Sequence, residues 1–187
     1  MTVYEAIMNR RTIRKFTQEP IKNEDLIKLV DCARMAAYGA NMQPLKFKII
    51  SDKEILDKIF PSTKWAAMLS NGTPAENERP TAYIAVLGDT EIKKSFEVDA
   101  GAAVTSMMLA AEEMGIASCW LGAIDRAAIK QILGLDDKFE VLYLLALGYP
   151  AQKSKAVKMQ DASTKYYLDE NGELNVPKRS IEEILIL

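Results

Sequence analysis

Two stretches of this chain are apolar almost without a break: Ala82 to Leu87 (A-Y-I-A-V-L) and Val141 to Leu147. A half-exposed strand alternates apolar and polar residues, so a run without alternation has to be covered on both faces. The rest of the sequence supplies that cover. Leu26, Leu29, Val30, Ala33 and Ala37 recur every three or four residues and form one stripe of a helix, with Asn23 as its candidate cap. Val98 to Met114 reads as the longest helix and stops at Gly115. It carries Gly101, Ala102, Ala103, Ser106, Ala110 and Ala111. Residues this small let a sheet or a second subunit approach closely, and both readings stand.

Shorter signals fill in the order. Thr2 and Glu5 have the spacing of a capping box, and Ser51 and Glu54 repeat it before a helix from Lys53 to Phe60, stopped by Pro61. Lys64 to Leu69 reads as one or two further helical turns. Asn71 to Pro80 is polar and rich in helix breakers, as a surface loop or lid would be. Phe47 to Ile50 and Ala117 to Leu121 read as strands. Asp125 is a candidate cap for a helix through Leu133, closed by Gly134. Helices alternating with buried strands give an α+β or α/β layered sheet with helices on its faces. After Pro150 the apolar period is lost. Asn171-Gly172 is a hairpin signal, and a short apolar end, Ile181 to Leu187, needs cover. We read 1–187 as one domain, with 151–187 an extended tail over its own subunit or over a partner.

Composition excludes several functions. There are 24 Lys+Arg against 26 Asp+Glu, so the chain lacks the electrostatic footprint of a nucleic-acid or membrane-surface binder. No apolar run reaches the roughly 18–20 residues of a membrane span, and Met1 to Glu5 is no signal peptide, so a cytoplasmic protein is expected. Cys32 and Cys119 read as free thiols rather than a disulfide or metal pair. There is no histidine at all, which removes imidazole general bases, catalytic triads and histidine zinc helices. Any enzyme built this way positions chemistry that a bound organic cofactor carries.

Four constellations remain. Arg10, Arg11, Arg14 and Lys15 gather four cations within six residues around Thr12. That is a solvated basic face or, because guanidinium offers forked donors, a phosphate clamp. Lys178-Arg179 is a second, weaker basic pair. Tyr38-Gly39-Ala40-Asn41-Met42-Gln43-Pro44 is a loop whose amides could meet a heteroaromatic edge or its own backbone. Trp120-Leu121-Gly122-Ala123 ends a strand in a small-residue turn, where backbone amides could approach a ring unobstructed. No Rossmann glycine fingerprint and no P-loop is present.

In order along the chain, these segments resemble the nitroreductase family of FMN-dependent enzymes. Arg10-Arg11-Thr12-Ile13-Arg14-Lys15-Phe16 is similar to its R-R-S-x-R-x-F. Ala36 to Phe47 resembles A-P-S-x-x-N-x-Q-P-W-x-F, with Ala37-Tyr38 in place of Pro-Ser and Leu45 in place of Trp. Asp99 to Gly115 resembles its D-x-G-A-A helix, and Trp120-Leu121-Gly122 and Gly148-Tyr149-Pro150 match two further motifs. The resemblance implies a mixed central sheet with helices on both faces, an intertwined homodimer with 151–187 wrapping the partner, and FMN between the subunits. It implies that Arg10 and Thr12 face the ribityl phosphate, with Arg11 beside it and Lys178 and Arg179 completing the clamp. Arg14 would lie near the pyrimidine edge as electrostatic support. Ala37, Tyr38, Gly39 and Asn41 would come from the other subunit. The backbone of Leu121, Gly122 and Ala123 would approach flavin N5 and O4, and Asn77 and Arg79 would add ring-edge contacts.

No protein residue is then strictly catalytic and no metal is needed. NAD(P)H is the implied donor and a small electron-poor molecule, a nitroaromatic or quinone, the acceptor, in ping-pong order. The shortened stretches between Ile50 and Ala82 and after Gly122 keep two rivals in view. One is a non-catalytic flavin-binding or redox-sensing protein. The other is a different flavin reaction, reductive dehalogenation or flavin fragmentation.

Overall fold

The computed structural model describes residues 1–69 and 72–186. Four strands, β1 (Leu45–Ile50), β2 (Ala82–Asp89), β3 (Ala117–Leu121) and β4 (Phe139–Gly148), form a sheet in the order β1-β2-β4-β3. As the unbroken apolar run requires, every residue of β2 is buried. Its even-numbered side chains, Ala82, Ile84 and Val86, meet helices α2 (Asn23–Arg34) and α4 (Glu97–Glu113). Its odd-numbered ones, Tyr83, Ala85 and Leu87, meet α3 (Lys53–Ile59) and α5 (Arg126–Leu133). Period two thus splits the interior into one core on each face.

The sheet departs from expectation in one respect. All three of its ladders are antiparallel, so within this chain it is not mixed. The physical reason is the placing of β4. β2 and β3 run the same way, as strands joined through a helix do, but β4 lies between them and opposes both. Parallel pairing occurs at the single bridge Thr12–Ser118 on the outer edge of β3, and between β5 (Ser154–Lys158) and β7 (Leu174–Lys178).

Local signals fared unevenly. Thr2 and Glu5 cap α1 (Val3–Asn9) as a reciprocal box, Asp125 caps α5, and Gly134 takes the left-handed conformation that ends it. Asn23 is not a cap: it is the first helical residue, and Lys22 precedes it without a side-chain bond. At α3 the cap is Asp52, not Ser51, and it accepts from the Ile55 amide. Residues 64–69 are not helical. Thr63 bridges Ile124 and Ala66 has φ 37°, so pairing with the turn after β3 overrides local propensity.

The tail has more structure than its composition announces. β5, β6 (Tyr167–Leu168) and β7 form a small sheet, with Gly172 (φ 74°) in the expected hairpin between β6 and β7. Leu174 and Asn175 are buried against their own protomer. The end, α6 (Ile181–Ile184) with Leu185 and Ile186, is exposed throughout. Leu187 falls outside the described residues.

Candidate functional site

The basic segment is fixed in the fold by its apolar members. Phe16 is wholly buried, and its ring lies where a Cβ on Gly148 would stand 2.7 Å away. Glycine is required there by close approach. The Ile13 amide donates to Ser118 O (3.0 Å) and the Phe16 amide to Glu78 O (2.9 Å). Thr12 and Ile13 therefore lie against the open edge of β3, and Phe16 is held at Pro150 and Glu78. Alternation turns Ile13 into the core, and Arg11 lines the same cleft as Ile13, Glu112 and Gln152. Arg10, Thr12 and Arg14 are the other alternate set.

The cations are not equivalent. The Arg11 guanidinium donates to the carbonyls of Arg10 and Met8, closing the end of α1, and its Nε is buried without a partner. Burial, then the charge of Arg10, pushes its pKa down. Two of the five Arg11 N–H donors are thus used within the chain. Lys15 is committed to Glu78 at 3.0 Å. Arg14 lies over the Tyr166 ring at 4.9 Å, which ties the tail to this segment. Among the described residues, neither Arg10 nor Arg14 forms an ion pair. Two guanidiniums without carboxylates and a hydroxyl between them are a donor set that fits a phosphate.

Lys178 and Arg179 close β7, both exposed. Arg179 pairs with Glu183 Oε1 at 3.4 Å, one turn along α6. Arg79 lies 4.2 Å over Phe60 and 3.6 Å from Asp57. Asn77 lies in a 3-10 turn, Glu76–Glu78.

The turn after β3 is braced from two sides. Leu121 points into the core, so only its backbone is free to face a ligand, while Gly122 and Ala123 are exposed. Gly122 O accepts from Arg126 Nη2 (3.1 Å), which also donates to Leu142 O (3.0 Å). Lys64 N donates to Ala123 O (2.9 Å) and Asp125 N to Ser62 O (2.8 Å). A cleft of about 410 Å³ opens beside Arg126, lined by Phe96, Phe139, Tyr143 and Lys130.

The Tyr38–Gln43 loop is elsewhere on the protomer, between the end of α2 and the start of α4. The Tyr38 hydroxyl donates back to Ala33 O (3.0 Å), so its ring packs inward; burial, then the Asp99 charge, raises its pKa. Ala37, Gly39 and Asn41 are exposed. Ala40 (φ 49°), Asn41 (φ 52°) and Gln43 (φ 50°) are all left-handed, which costs an alanine or glutamine roughly 1–2 kcal/mol each. Asp99, 1% exposed, opposes that cost. Its Oδ1 accepts from the Gly39 amide (2.8 Å) and its Oδ2 from Lys93 Nζ (2.6 Å). Burial pushes the Asp99 carboxyl up, but the amide and Lys93 outweigh it and hold the pKa below the usual range.

In one protomer Thr12 is bridged to Ser118 on the edge of β3, with Arg10 and Arg14 two residues to either side of it in the chain. The loop from Ala37 to Asn41 has its bonds to α2 and α4. Asp99, Lys93 and Arg126 were missed in the sequence. In the sequence Asp99 stood out only as the first residue of the D-x-G-A-A resemblance, with Glu97 beside it in the same helical turn. Among the described residues, no group of three or more Cys, Asp or Glu could hold a metal, and no helix is long and apolar enough to cross a membrane.

Comparison with known proteins gives a consistent result. The sequence model of the Nitroreductase family matches residues 7–83 and 78–149. A protein of Archaeoglobus fulgidus, named as a candidate NADH dehydrogenase/NAD(P)H nitroreductase, is 30% identical over 165 residues, covering 84% of this chain and 90% of its own. The NADPH-flavin oxidoreductase of Vibrio harveyi is 25% identical over 181 residues, covering 92% of this chain and 75% of its own. Among solved structures, a candidate nitroreductase of Desulfovibrio desulfuricans in complex with FMN superposes with a TM-score of 0.74 at 28% identity, covering 100% of this chain and 96% of that one.

Proposed function

This chain belongs to the nitroreductase family, and on that premise we propose that it is a homodimeric, FMN-dependent oxidoreductase. It moves hydride from NAD(P)H to a small electron-poor acceptor, a nitroaromatic or a quinone. The observation that carries this reading is Thr12 bridged to the edge of β3 and flanked in the chain by Arg10 and Arg14, two cations that form no ion pair among the described residues. Its FMN-bound and flavin-reducing relatives support the choice of cofactor. Bound FMN supplies a carrier that accepts two electrons from NAD(P)H and releases them to an acceptor, each using one opening in turn.

The residues of the chain bind and orient. Arg10 and Thr12 hold the phosphate, and Lys178 and Arg179 complete the clamp. Arg14 puts positive charge beside the pyrimidine edge, which favours the more negative, reduced ring. Leu121, Gly122 and Ala123 offer backbone to the ring, and Ala37, Tyr38, Gly39 and Asn41 cover it from the second subunit. A second subunit is supported by apolar side chains that one protomer leaves in water, such as Tyr4 (71% exposed), Val98 (83%) and Ile186 (96%). The end of the tail from Ile181 belongs over that partner. The cleft beside Arg126 adjoins the turn and suits a flat acceptor. Two free cysteines agree with a cytoplasmic place.

The test is direct. The purified protein should be yellow, release FMN and not FAD on denaturation, and oxidise NAD(P)H when given a nitroaromatic or a quinone. A chain that FMN cannot reconstitute refutes the clamp. A chain that holds FMN but turns over no acceptor is the redox-sensing rival.

A further inference from the structure

The loop that covers the flavin in this reading is in an unfavourable conformation, and one buried carboxylate opposes its relaxation. We propose that Asp99, paired with Lys93, is a positioning residue for FMN: it pins the Gly39 amide and so keeps residues 38–43 in the shape that the second subunit's cofactor meets. This rests on the proposed function above, since it assigns that loop to flavin.

Three observations carry it. First, three of the four residues from Ala40 to Gln43 are left-handed and none of the three is glycine. Free in water such a stretch moves to ordinary backbone angles, so something must over-determine it. Second, the restraint is at hand and strong in kind. Asp99 is charged, 1% exposed, and bonded on one oxygen to the Gly39 amide at 2.8 Å and on the other to Lys93 at 2.6 Å. A buried carboxylate of this sort is retained only when both oxygens are satisfied. Third, the ion pair lies directly beside Gly39. A Cβ there would stand 3.5 Å from Lys93 Nζ and 3.6 Å from Asp99 Oδ1, so the loop backbone rests on the ion pair itself. Asp99 belongs to the first turn of α4, whose Ala100, Ala103 and Val104 are wholly buried against the sheet. The loop is thereby referenced to the rigid core. A loop already in its binding shape loses less freedom when the cofactor arrives, so the clamp appears as affinity.

The experiment measures FMN affinity by quenching of free flavin fluorescence, with the apoprotein of wild type, Asp99→Ala, Asp99→Asn, Lys93→Met and the double variant Asp99→Asn/Lys93→Met. Circular dichroism confirms that each is folded. Asp99→Ala is expected to weaken FMN roughly ten-fold or more, as loss of a charge-assisted hydrogen bond does. Asp99→Asn alone keeps an acceptor for Gly39 but strands the Lys93 ammonium. The double variant removes both charges while keeping the acceptor, and should return to within about three-fold of wild type. That non-additive recovery is the signature of a clamp, because a merely structural loss would deepen with each change. If Asp99→Ala does not fold, the Asp99→Asn and double variants carry the same comparison. Folded Asp99 variants that all bind FMN like wild type overturn the clamp and leave the FMN reading standing. A wild-type chain that takes up no FMN overturns both.

Discussion

The two basic stretches of this chain differ in how they are held. Arg10 to Lys15 is fastened at both ends: Thr12 bridges Ser118, Phe16 is sunk in the core, and the Thr17 amide donates to Tyr149 O. Lys178 ends the last strand of a small sheet, Arg179 follows it before an exposed helix, and among the described residues Arg179 pairs only with Glu183. The first half of the phosphate clamp in the proposed function is therefore set by folding. The second half is set by whatever covers α6, a partner subunit in the proposed function. An ion pair as exposed as Arg179–Glu183 contributes little by itself and is readily exchanged for a phosphate.

The largest effect that could break this contrast lies at the anchor. Phe16→Ala should cost about 3–5 kcal/mol of protomer stability, measured by urea denaturation, since a wholly buried ring is lost beneath Gly148. A cost under about 1 kcal/mol would mean the segment is not held by its core. Next, Arg10→Ala should weaken FMN binding by about 1.5–3 kcal/mol in a fluorescence titration. Arg179→Ala should do the same less severely, because wild type must first order that end. Equal losses would erase the distinction.

The anchored edge also carries a pH signature. Burial raises the Cys119 thiol to about 11 on β3, and burial raises the Tyr83 phenol further. A raised pKa in the folded state gives stability that is full below the unfolded value and lost as pH rises. Urea midpoints should therefore fall between about pH 8.5 and 11, by at most about 1.4 kcal/mol per pH unit for each group. Cys119→Ala should flatten the first part of that decline. The smallest effect belongs to the free end. Ile184→Glu should leave protomer stability within about 0.5 kcal/mol, because the side chain is exposed, while sedimentation at micromolar concentration shows more monomer. A variant as dimeric as wild type would place the contact elsewhere.

Much of the layered fold was legible because it depends on period. Ala82–Leu87, the α2 stripe and the small-residue face of α4 are each statements about burial, and burial is what periodicity records. The position of β4 between β2 and β3 was not legible. Antiparallel insertion is decided by which edge the last strand finds, and no local residue encodes that. The same limit explains residues 64–69, where pairing with Ile124 competes with helix propensity and wins. At the site, the cations and the turn stood out by type and spacing. Arg11 did not separate from Arg10 in sequence, although the fold spends its guanidinium on the end of α1. Asp99 acts on the Gly39 amide sixty residues away, Lys93 on Asp99, and Arg126 on the carbonyls of Gly122 and Leu142, and a single chain of letters gives no view of such pairs.

The pairing of Ser62, Thr63 and Lys64 with Ala123, Ile124 and Asp125 ties two things that an evolving enzyme would gain from varying apart. Lengthening the segment after α3 to admit bulkier molecules would tug on the peptide bonds that the proposed function sets against the ring. Selectivity and redox tuning are thus inherited together, and the least disruptive place for an insertion is downstream of Lys64, where that seam has ended.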